Sequence, residues 1–75
     1  MTQNASAVKT VMSEAIRLTK TSIQLFMSKQ ITKDEMETYQ KRITDQLRNF
    51  YMDDKVIAAY AAVEADMEAH QANHD

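Results

Sequence analysis

Neither glycine nor proline occurs anywhere in this sequence of 75 residues. The tight turns of β-hairpins (types I′ and II′) rely on residues at positive φ, which glycine occupies without steric cost, so a hairpin-built β-protein without one is not expected. Glycine-rich phosphate loops are excluded as well, and with them P-loop and dinucleotide-binding chemistry. Among the residues that remain, alanine, lysine, glutamate, glutamine, methionine and leucine are good helix formers. The expected fold is all-α.

At this length the chain is expected to form a single helical domain spanning residues 1–75, close to the smallest size at which one core is self-sufficient. Small proteins usually supplement such a core with a disulfide, a metal or a second chain. Cysteine is absent, which removes disulfides and thiolate metal sites, so oligomerisation is the expected supplement. The opening Met1-Thr2-Gln3-Asn4-Ala5-Ser6 lacks the basic start and apolar run of a signal peptide. No stretch approaches the ~18 apolar residues of a membrane span. The expected setting is the cytoplasm, with no membrane partner.

Three helices account for nearly all of the chain. The first is expected over about 5–28, with Asn4 or Ser6 able to cap it. Its apolar residues Val8, Val11, Met12, Ile16, Leu18, Ile23, Leu25, Phe26 and Met27 spread over an arc of roughly 200°, about twice the stripe a surface helix needs. Such a helix is either covered on two sides within its own fold or keeps one side for another chain. The second, over about 32–50, opens with a capping box, Thr32-Lys33-Asp34-Glu35, inside a hydrophobic staple of Ile31 and Met36. Met36, Tyr39, Ile43, Leu47 and Phe50 form its narrow seam. The third, over about 53–71, starts at Asp53 or Asp54, with Met52 and Ile57 placed for a staple. Val56, Tyr60, Val63 and Met67 form its seam, and alanines fill much of the rest. Residues 71–75 are expected to fray. Short links join antiparallel neighbours, which predicts an up-down-up three-helix bundle. The alternative is a helical hairpin plus a third helix, with helix 1 making a dimer; dimerisation through helix 1 is expected.

Charge divides unevenly along the chain. Up to Phe50 eight bases face five acids, and after it Lys55 alone faces six acids. The third helix is therefore acidic, which suits packing against a basic pair or docking on a basic partner.

The parts needed for catalysis are missing. A nucleophilic triad needs a base near a presented Ser or Cys, and the two histidines, His70 and His74, stand beside and within the C-terminal segment expected to fray. Asp66, His70 and His74 recur at a helical spacing that a metal could use, but no further ligand completes a site. Paired carboxylates such as Asp34/Glu37 and Glu64/Glu68 lie on expected solvated faces, with no sign of a cleft to enclose them. No enzyme activity, cofactor or metal is expected. Direct nucleic-acid binding is disfavoured by the acidic third helix, which phosphates would repel. Lys9, Arg17 and Lys20 make only a small basic footprint.

Met12, Met36 and Met67 stand on expected seams, which leaves Met27 and Met52 as exposed methionines. With Phe26 and Leu25 beside the first and Tyr51 beside the second, they could join in one patch, and aromatics in such patches anchor interfaces. The candidate partner or dimer interface is Ile16, Leu18, Ile23, Leu25, Phe26, Met27, Tyr51 and Met52. The segment Lys29-Gln30-Ile31-Thr32-Lys33-Asp34-Glu35-Met36 resembles the start of short helical oligomerisation motifs of the SHOCT type. That likeness covers less than a fifth of the chain, lacks the usual glycine and is mostly capping-box chemistry, so it assigns no family.

The expected function is that of a small protein-binding module acting by stoichiometric occupancy of another protein. Inhibitors and regulators work this way, including those that phages make against host systems. A dimeric DNA-binding regulator is the first alternative, and a structural subunit of a larger assembly is the second.

Overall fold

The computed structural model describes the backbone of residues 5–72 and the side chains of residues 9–70. Val8, the expected caps Asn4 and Ser6, and the whole segment expected to fray, His74 included, fall outside the described side chains. Three helices, α1 (Ala5–Met27), α2 (Lys33–Leu47) and α3 (Asp53–Ala72), pack each against the other two, with no strand among the described residues. None of them is long and apolar enough to cross a membrane.

The core is a meeting of three seams. Val11, Ala15, Leu18 and Leu25 come from α1, Tyr39 and Ile43 from α2, and Val56, Tyr60, Val63 and Met67 from α3. Met36 and Leu47 are half-buried at its edge. Ser22 is the one buried polar side chain among the described residues, and its hydroxyl donates to the Thr19 carbonyl at 2.7 Å. It therefore sits on the core face of α1 without an unsatisfied group. The Tyr60 hydroxyl likewise donates to the Ile43 carbonyl at 3.2 Å, fixing α3 against α2. Burial raises the Tyr60 pKa above its usual value.

The two links show how the chain turns without glycine. At the end of α1 the Gln30 N–H donates to the Leu25 carbonyl at 2.9 Å and the Lys29 N–H to the Phe26 carbonyl at 3.0 Å. This pair of bonds is a Schellman motif, and Lys29 occupies its left-handed position at φ 65°. A side chain with a Cβ is disfavoured there by roughly 1–2 kcal/mol. Lys29→Gly is expected to raise stability by about 0.5–1 kcal/mol, part of the strain relief being offset by a freer unfolded chain. A shift of the urea midpoint to higher concentration checks this; an unchanged or lower midpoint contradicts it.

Ile31 then buries next to the start of α2. There the Thr32 hydroxyl accepts from the Glu35 N–H at 3.1 Å, and the Glu35 carboxylate accepts from the Thr32 N–H at 2.8 Å. Both halves of the expected capping box are present. α2 ends at Leu47 rather than near Phe50, because residues 48–51 form a turn in which the Asn49 N–H donates to Gln46 and the Met52 N–H to Asn49. Phe50 accordingly leaves the α2 seam and is exposed. The Met52 carbonyl accepts from both Lys55 and Val56. That makes Met52 the capping position and places Asp53 and Asp54 in the first turn, where the helix dipole favours them.

Ion pairs fasten the outside of the bundle. Arg17 grips Glu14 at 2.6 Å on its own helix and Glu64 of α3 at 2.7 Å, and Arg42 of α2 reaches Asp66 of α3 at 2.8 Å. These pairs are solvent-accessible, so each contributes at most about 1 kcal/mol. His70 lies within α3, its Nε2 2.8 Å from the Tyr39 hydroxyl and its ring edge-on to that tyrosine. Hydrogen bonding from Arg17 holds Glu14 below the usual carboxylate range, and the Thr32 N–H does the same for Glu35. The unfolded chain titrates both near 4.5. Their contribution is therefore complete above that pH and is lost as pH falls through the lower folded values. The urea midpoint is expected to decline below pH 4.5, and Glu35→Gln should flatten part of that decline. An equally steep decline in the variant would contradict the role given to Glu35.

Candidate protein-docking face

Helix α1 carries two rows with the same 4-3-4-3 spacing. Val11, Ala15, Leu18, Ser22 and Leu25 form the first, and all five are buried. Met12, Ile16, Thr19, Ile23 and Phe26 form the second, one residue along and so about 100° around the helix. Thr19 is half-buried, while Phe26 is 37 % exposed, Ile23 39 %, Met12 45 % and Ile16 55 %. Met27 extends the row at 75 % exposure. Scattered apolar residues on a surface are ordinary, whereas a continuous row marks a contact surface.

The grooves between helices explain why this side stands open. The α1–α3 groove is bridged by Arg17 and Glu64, and the α2–α3 groove by Arg42 and Asp66. No ion pair joins α1 to α2 among the described residues. Their groove is instead a shallow cavity of about 260 Å³ whose walls include Met12, Ile16, Ile43 and Leu47 together with the polar Thr19, Lys20 and Thr44. Side chains from both helices thus form one apolar surface without a cover.

The structure divides the expected interface residues. Ile16, Ile23, Phe26 and Met27 lie on the exposed side of α1. Leu18 and Leu25 do not: each is 1 % exposed and belongs to the row that packs on α2 and α3. Met12, expected in the core, stands on the outer row instead. Tyr51 is exposed and meets Phe50 edge-on, with ring centroids 6.2 Å apart, while Met52 is half-buried. These two follow the far end of α2, so the 15 residues of that helix, about 22 Å, separate them from Phe26 and Met27. They do not form one patch. The wall residues Thr19, Lys20, Thr44 and Leu47 were not expected at an interface. The 4-3-4-3 repeat from Met12 to Phe26 is the signal that marks the α1 members of the face.

Asp66 and His70 are engaged by Arg42 and Tyr39, and no group of three metal-ligating side chains occurs among the described residues. Comparison of the chain with protein-family models, with curated proteins and with solved structures finds no match.

Proposed function

We propose that this chain is a non-enzymatic protein-binding module that acts by stoichiometric occupancy, with the outer row of α1 as its docking face. The observation that supports this reading is the uncovered row of Met12, Ile16, Thr19, Ile23 and Phe26 beside the apolar α1–α2 groove. Its 4-3-4-3 spacing is that of a helix seam awaiting another helix. Self-association through α1 belongs to the same reading, as does a role as inhibitor or regulator, since occupancy of a target surface is all such a module needs. The test is a paired capture with the wild type and Ile16→Glu as baits. A partner held by the wild type and lost by the variant supports the reading; equal capture by both contradicts it.

A second reading, a dimeric DNA-binding regulator, draws on the exposed bases Lys9, Lys20, Lys33, Lys41 and Arg48 of α1, α2 and the turn after it. Against it, the centre of that surface is apolar and offers little to hydrogen-bond base edges. Retardation of arbitrary duplex that weakens steeply with salt would favour this reading; no retardation at low salt removes it.

A further inference from the structure

We infer that the outer row of α1, around Met12 and Ile16, is covered by the outer face of α3 from a second copy of this chain, so that molecules associate head to tail. This rests on the reading of that row as a docking face and names its occupant. Three observations support it.

The two faces are complementary in size. α1 presents long side chains, Met12, Ile16, Ile23 and Phe26. Opposite its buried seam, α3 presents Ala58, Ala61 and Ala65, all exposed. Small side chains on one helix let a bulky row on another approach closely.

They are also complementary in charge. Lys9 and Lys20 are exposed on the flank of the α1 row, and neither has an ion-pair partner among the described residues. Asp54 and Glu68 are exposed at the two ends of the alanine row of α3, likewise without partners there. Eleven residues separate the lysines and fourteen the acids, about 16 and 21 Å along their helices. Flexible lysine stems span that difference. In this register Ala61 faces Ile16, with Met12 and Ile16 against the alanines and Ile23 and Phe26 beyond the acid that meets Lys20.

The same charges oppose the symmetrical arrangement. Two α1 rows crossing at their midpoint, Thr19, would bring Lys20 of each copy together, and like charges facing across an interface are unfavourable. A contact between two different faces leaves one of each free on every complex. Growth therefore continues past the dimer unless a ring closes.

The test uses two variants at exposed positions, Ile16→Glu on α1 and Ala61→Glu on α3, with helicity checked by circular dichroism. Sedimentation equilibrium of the wild type should give a mass that rises with concentration beyond twice 8.6 kDa and falls again in high salt. Each variant alone should stay at 8.6 kDa, its association weakened at least ~30-fold by a charge set into the apolar seam. An equimolar mixture should form a one-to-one dimer and stop there, because one intact face of each kind remains. If Ala61→Glu associates like the wild type while Ile16→Glu does not, α1 meets a different surface and the head-to-tail contact is overturned, but the docking face stands. A wild type that stays monomeric at millimolar concentration overturns self-docking and leaves the docking face to the paired capture. Association unchanged in both variants overturns the contact and removes self-association as support for α1.

Discussion

Leu25→Glu is expected to unfold the isolated chain. Leu25 belongs to the buried three-seam core and is 1 % exposed. Truncating such a leucine to alanine alone costs about 2–5 kcal/mol. An unpaired buried carboxylate adds a desolvation cost of several kcal/mol, or stays protonated at a comparable cost. At ~0.05–0.15 kcal/mol per residue, a chain of this size has only about 4–11 kcal/mol of stability to lose. Far-UV circular dichroism should show the helical signal of the wild type lost in Leu25→Glu. Ile23→Glu, two residues earlier but on the exposed row, should keep that signal. A helical, cooperatively melting Leu25→Glu would mean that the assignment of α1's two rows is reversed.

Ile16→Glu is expected to separate folding from docking. More than half of the Ile16 side chain already meets solvent, and exposed substitutions of this kind usually change stability by no more than about 0.5 kcal/mol. Glutamate is also a better helix former than isoleucine. The same carboxylate at the middle of an apolar contact would be desolvated without a partner, at about 2 kcal/mol or more, which is a 30-fold or larger loss of affinity. Thermal melting close to that of the wild type, together with lost association, is the expected pair of results. A large drop in melting temperature would show that Ile16 supports the fold.

How far the fold was legible depended on how local its causes are. The capping box of α2 was readable because Thr32 and Glu35 satisfy each other within one turn. The α3 seam was readable because Val56, Tyr60, Val63 and Met67 are its only row of large side chains, and all four are buried. Helix α1 was ambiguous for a physical reason. Its two rows share one spacing and differ by a single residue in register, so hydrophobicity alone cannot say which row faces inward. The polar Ser22 and small Ala15 on the inner row made the outer one look equally suited to the core. Packing against α2 and α3 decides it, sending Leu18 and Leu25 inward and Met12 outward. The position of His70 was hidden for a related reason, since its hydroxyl partner Tyr39 lies 31 residues away. The turn after Leu47 carries no glycine or proline to announce it.

Whether the outer row of α1 is a contact surface decides how this chain can act. Sedimentation equilibrium of the wild type beside Ile16→Glu tests this most directly. The predicted result is a wild-type mass that climbs with concentration above 8.6 kDa, beside a fully helical variant that remains at that mass. A variant that associates as strongly as the wild type would contradict it.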